Sequence, residues 1–149
     1  MEWFVVFALA SQVLMLGFFA ARRWRPDLAG PIGRAVYGLG LPAVVLAVVF
    51  WATGQPANLV LAFVVYAAWS ALGAFVDIVH PIAWRRPARW SVLVPYAVLL
   101  ISAMMLLWVP LWWVSWWLWL LYGVLYAAHT TLNLTSHGGR DVTPRRGHG

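Results

Sequence analysis

Long apolar runs alternate with short polar breaks along this chain. The hydrocarbon core of a bilayer is about 30 Å thick and takes about 20 helical residues per crossing. Measured against that length, the first run covers residues 3–21, the second 35–52 and the third 59–79. The stretch from Ser91 to Leu134 is roughly twice one crossing. Its break is expected at Val109-Pro110-Leu111, because proline lacks a helical N–H and favours a helix start, giving spans 91–108 and 112–134. The breaks between the other runs are Arg22–Arg34, with Pro26, Gly30, Pro31 and Gly33; the uncharged turn Thr53-Gly54-Gln55-Pro56-Ala57-Asn58; and His80-Pro81 leading to Arg85-Arg86-Pro87. The predicted architecture is all-α: a polytopic integral membrane bundle of five transmembrane helices in one domain, residues 1–134. A basic tail, residues 135–149, follows and reads as flexible and cytoplasmic.

Composition agrees with the pattern. Of 149 residues, 64% are hydrophobic and 9% charged, whereas a soluble domain is about 45–50% apolar and 25% charged, so an ordinary water-soluble fold is excluded. The net charge of +6 comes from ten basic residues, all arginine, against four acidic ones. The arginines cluster as Arg22, Arg23, Arg25 and Arg34; Arg85, Arg86 and Arg89; and Arg140, Arg145 and Arg146. Apolar spans separate the clusters, so they form no stripe for a nucleic-acid groove, and no nucleic-acid partner is expected. With the N-terminus outside, all three clusters fall on one face, while Glu2, the Gln55–Asn58 turn and the Pro110 turn lie opposite. The positive-inside rule then predicts N-out, C-in, in the inner (cytoplasmic) membrane of a prokaryote. The first span has its charges after the apolar run and no basic n-region, so it is read as a retained span.

Tryptophan offers an independent check. Trp3, Trp51, Trp108, Trp112, Trp113, Trp116 and Trp117 fall near the predicted outer boundary, and Trp24, Trp84 and Trp90 near the inner one. Two interfacial belts are what amphipathic indoles prefer. Trp119 is a turn deeper, and Trp69 lies near mid-bilayer.

Polar residues inside the spans are the candidates for function, since ionisable groups there are costly. The third span places Tyr66, Ser70, Gly73, Asp77 and His80 on one helical stripe; the fifth repeats the spacing with Tyr122, Tyr126, His129 and Asn133. Both stripes become more polar toward the arginine side, and the two helices run in the same direction. A shared, inward-opening pocket is expected, with Asp77 and His129 near one another and Gln12 of the first span above. Each residue also has a structural reading. Asp77 suits an ion pair with Arg22, Arg23 or Arg85, His80 a wet helix end, His129 and Gln12 interhelical hydrogen bonding, and the tyrosines core packing.

Other chemistries are thinly supported. His80 and His129 would be the two axial ligands if a single b-type haem were bound. His137, His148 and Asp141 match no zinc spacing, and no cysteine is present for thiolate or nucleophile chemistry. No Gly-x-Ser-x-Gly or phosphate loop occurs. The outer halves of the spans are nearly all apolar and no inverted repeat is evident, so a conducting path is not expected. Five spans, tryptophan richness and an N-out orientation resemble the translocator/tryptophan-rich sensory proteins in topology. The first loop, Arg22-Arg23-Trp24-Arg25-Pro26-Asp27, departs from that family's Trp- and Pro-rich stretch, so no residue role carries over. The sequence reading is a membrane protein binding a lipophilic or amphipathic small molecule. The alternatives are a structural or accessory subunit of a homo-oligomer or larger membrane complex, and a membrane enzyme using Asp77 or His129 for acid/base chemistry on an isoprenoid- or sterol-like substrate.

Overall fold

A computed structural model describes residues 1–81 and 89–136 of the chain. Helices α1 (Glu2–Trp24), α2 (Pro26–Gly38), α3 (Gly40–Ala52) and α4 (Ala57–Ala74) come first, and a π-helical turn (Phe75–Val79) extends α4. Then follow α5 (Trp90–Trp108), α6 (Leu111–Val114) and α7 (Trp116–Ser136), with no strand among the described residues. Among the described residues, four segments are long and apolar enough to cross a membrane: α1, α2 with α3, α4 with its π turn, and α5 with α6. The chain is thus consistent with an integral membrane protein. Helix α7 has 21 residues and so the length to cross. It carries Trp116, Trp117, Trp119, Tyr122, Tyr126, His129 and Asn133.

The elements close into a ring in chain order. Helix α1 packs on α2, α2 and α3 on α4, α4 on α5, α5 and α6 on α7, and α7 back on α1. Cross-helix contacts fix the directions. Gly33 meets Phe18, and Phe50 meets Phe63 while Tyr37 meets Gly73, so successive spans are antiparallel. Phe4 meets Phe63 and Phe7 meets Tyr66, so α1 runs parallel to α4; Phe19 meets His129, so it runs parallel to α7 as well. Arg22, Arg23, Arg34 and Arg89 therefore gather at one end of the bundle, with the Thr53–Pro56 turn at the other.

The interior forms where the apolar and aromatic faces meet. Phe63 sits at its centre, fully buried, with edge-on contacts to Phe4, Phe7 and Phe50 at ring separations of 5.7, 5.2 and 5.1 Å. Below it Tyr66 and Trp69 continue the buried stripe of α4. The α3–α4 seam is tight because Gly40 has no side chain: a Cβ there would lie 2.7 Å from that of Ser70.

Two boundaries differ from the sequence expectation. The Arg22–Arg34 break is almost entirely helical, interrupted at Arg25. Pro26 stands at the first turn of α2, where its missing N–H is no loss, so it opens a helix. The second correction concerns the last hairpin. Val109 and Pro110 keep right-handed helical dihedrals, and Leu111, expected at an exposed turn, is fully buried. The first extended residue is Ser115, at φ −167° and ψ 130°, whose carbonyl accepts the Trp119 N–H at 3.1 Å. Proline's fixed φ suits a helix; it removes a donor without forcing a reversal. Trp113 is 82% exposed beside this break and Ala103 is fully buried. A cysteine at Trp113 is therefore expected to react readily with a hydrophilic maleimide in opened membranes, and one at Ala103 to stay protected. Equal rates would contradict this packing.

Candidate functional site

The most polar three-helix junction lies near the arginine-bearing end. The Tyr37 hydroxyl of α2 donates to Asp77 Oδ2 at 2.6 Å. Tyr37 has one hydroxyl proton and Asp77 takes it, so Tyr96 of α5 is the donor in the 3.2 Å contact between the two phenols. The short distance to a carboxylate marks a charge-assisted bond. Three spans thus meet at one carboxylate.

The local sequence explains the junction. Gly73 and Asp77 are four residues apart on the same face; Gly73 leaves room for the Tyr37 ring, and Asp77 receives its hydroxyl. Asp77 lies in the π turn, closed by the His80 N–H to the Phe75 carbonyl at 2.8 Å. Wider π turns recur where a side chain is re-aimed for function. Trp69 supports the two phenols from below, with ring separations of 5.6 Å to Tyr37 and 5.8 Å to Tyr96. A cavity of about 350 Å³ adjoins Asp77, bordered also by Phe18, Gly30, Gly33, Arg34 and Tyr37. It lies within the roughly 300–1,000 Å³ of small-molecule sites, at the small end. One wall carries a carboxylate and another a guanidinium.

The remaining expected site residues fall elsewhere. Gln12, fully buried, donates to Met104 Sδ at 2.9 Å, and Tyr122 donates to the Met104 carbonyl at 3.1 Å. These contacts tie α1, α5 and α7 in the middle of the bundle. Tyr66 is buried against Phe7 and Trp69. Ser70 is buried against Gly40, its hydroxyl without a partner among the described residues. Tyr126 stacks on Trp108, and Asn133 is half-buried further along α7.

His129 is buried on the α1–α7 seam, between Phe19 and Tyr126 at ring separations of 5.9 and 5.1 Å, with Nδ1 unpartnered among the described residues. Tyr66, Ser70 and Gly73 of one stripe and Tyr122 and His129 of the other are buried in the interior, yet Asp77 and His129 meet different partners. Their neighbours differ, and Met15, Phe18 and Phe19 fill the region between, leaving about 10 Å³ beside Tyr37 and Tyr96. That is at most the space of one water. His80 is exposed, with its ring against Phe75 at 4.9 Å, so the two histidines are not a facing pair for a haem. No group of three or more metal-ligating side chains occurs among the described residues. Arg85 and the tail residues His137, Asp141 and His148 lie outside the described residues.

Sequence reasoning missed Tyr37 and Tyr96. Periodicity orders residues within one helix but does not say which helices meet. The available signal was chemical: a carboxylate in a span needs a donor, and Tyr37 stands on the neighbouring span with Gly73 opposite to admit it. Comparison with known proteins adds no role for these residues: no protein family, curated protein or solved structure matches this chain.

Proposed function

We propose that the protein is a bundle of five transmembrane helices, N-terminus outside and C-terminus in the cytoplasm of a prokaryotic cell, that binds a lipophilic or amphipathic small molecule in a cavity open to the arginine-bearing face. The observation that supports this reading is the 350 Å³ cavity with Asp77 and Arg34 in its walls. A carboxylate within a span, even in its last turn, is costly unless partnered or used, which makes it a functional candidate by default. Tyr37 and Tyr96 hold it in one orientation, as a recognition group requires. Apolar Phe18 and Ile78 supply the remaining wall, suited to a molecule with one polar and one greasy end. Arg22, Arg23, Arg34 and Arg89, at the end of the bundle opposite the uncharged Thr53–Pro56 turn, support the orientation.

The accessory-subunit reading is favoured by a different observation. The fourth span, Trp90–Val114, is the least enclosed of the four most apolar segments, and Val94, Val98 and Ile101 are exposed along it. A protein partner would cover that face, as lipid would.

Gly30 borders the cavity, and a Cβ there meets nothing within 4 Å, so Gly30→Cys reports on the site with little disturbance. A hydrophilic maleimide is expected to label it in inside-out vesicles and not in intact cells. Refilling delipidated vesicles with a chloroform–methanol extract of the source membranes is expected to slow labelling several-fold. Labelling from outside intact cells would reverse the orientation. An unchanged rate with the extract would move the reading to the accessory subunit.

A further inference from the structure

A second depression, sharing Arg34, Tyr37 and Ile78 with the cavity beside Asp77, runs along the outside of the bundle between the second and third spans. It encloses about 420 Å³. Its floor is made of small residues, among them Gly38, Gly40, Ala67, Ala71 and Ala74, with Leu41 and Val44 beyond. Arg34 stands at the arginine-bearing end of the groove, with no ion pair or hydrogen bond among the described residues. Asp77 lines the adjoining cavity and Tyr37 spends its hydroxyl proton on that carboxylate. The groove itself therefore offers a cation and no anion.

Its dimensions match one leaflet. From Arg34 to Val44 is ten residues, or about 15 Å of helix, half the thickness of a bilayer core. From Ile78 back to Ala67 along the facing helix gives a similar length. A second observation points to an occupant: Ser70 borders the groove, is 1% exposed, and its hydroxyl has no partner among the described residues. A buried hydroxyl without an acceptor is costly. Cation first, hydroxyl some two turns deeper, apolar floor beyond: this is the order of phosphate, ester carbonyl and acyl chain in a diacyl phospholipid.

We propose that the groove between the second and third spans binds an anionic phospholipid of the inner leaflet, with its phosphate at Arg34, an ester carbonyl at Ser70 and one acyl chain over Ala67, Ala71 and Gly40. The inference rests on the membrane-spanning reading but not on the small-molecule cavity. A single arginine near the headgroup region is worth about a fivefold preference for an anionic over a zwitterionic lipid.

The purified protein, delipidated and exposed to an equimolar mixture of dioleoyl phosphatidylglycerol and dioleoyl phosphatidylcholine, would be read by native mass spectrometry. The wild type is expected to retain the glycerol lipid about fivefold over the choline lipid. Arg34→Gln, at an exposed position that needs no repacking, should bring that ratio to about one. Ala71→Phe should fill the groove and lower retention of both lipids. Asp77→Asn should leave lipid retention as it was. An unchanged ratio in Arg34→Gln, or unchanged retention in Ala71→Phe, would mean annular lipid only and would overturn the groove while leaving the Asp77 cavity standing. Loss of the lipid in Asp77→Asn would overturn the separateness of the two sites.

Discussion

Gly73→Ala is expected to destabilise the protein by about 4 kcal/mol, the sum of an overpacked seam and a broken hydrogen bond to a carboxylate. A single methyl at Gly73 collides with the ring of Tyr37. That ring has no easy retreat, because its hydroxyl is held by Asp77 at 2.6 Å and its face rests on Trp69. Moving it separates Tyr37 from Asp77, and the carboxylate loses a donor in a region that supplies few. Gly17→Ala is the control: a Cβ there meets nothing within 4 Å, so its stability should change by less than about 1 kcal/mol. Thermal unfolding in detergent, followed by tryptophan fluorescence, measures both. The clash also predicts non-additivity. In a Tyr37→Leu background the added cost of Gly73→Ala should fall sharply, since the two residues are in contact. Equal cost in both backgrounds would contradict the Tyr37–Gly73 contact.

Phe63→Ala is expected to cost about 3 kcal/mol, and the source of that energy differs from a water-soluble core. An unfolded membrane helix remains in lipid, so the transfer of phenyl from water contributes little. What remains is the cavity left behind and three edge-on aromatic contacts, each worth about 0.5–1.5 kcal/mol. Phe63 makes those contacts to Phe4, Phe7 and Phe50, and so joins the first, second and third spans at one point. Val64, the next residue, is 48% exposed, and Val64→Ala should lie within about 0.5 kcal/mol of wild type. Comparable losses for the two variants would mean that the aromatic cluster is not what holds these spans together.

Much of the helical layout was legible in hydropathy alone. The third span is bounded as expected, and Tyr66, Ser70 and Gly73 fall on a buried face because a 3.6-residue period fixes which residues share a side. Punctuation was the weaker guide. Pro26 opens α2, and Pro110 stands with helical φ between α5, which ends at Trp108 as expected, and α6, so the chain's extended residue falls later, at Ser115. Ser115, a good N-cap type directly before Trp116, was the better marker of the last reversal. Asp77 and His129 meet different partners for a geometric reason. Equal depth and common direction place two residues at one level but do not say which seam each side chain enters: Asp77 meets Tyr37 of the second span, and His129 meets Phe19 of the first. The π turn that carries Asp77 has no periodic signature, and the tyrosines that meet it belong to other spans.

The most direct test of the central claim is mass spectrometry of small molecules extracted from protein purified out of its own membranes, comparing wild type, Asp77→Asn and His129→Ala. Besides any phospholipid held in the outer groove, the wild type is expected to carry one further lipophilic or amphipathic species in near-stoichiometric amount. Asp77→Asn, monodisperse in detergent, should lose it. His129→Ala should retain it while unfolding at lower temperature, because His129 packs on Phe19, away from the cavity that Asp77 borders. A wild type that carries no such species, or an Asp77→Asn variant that keeps it in full, would contradict the account.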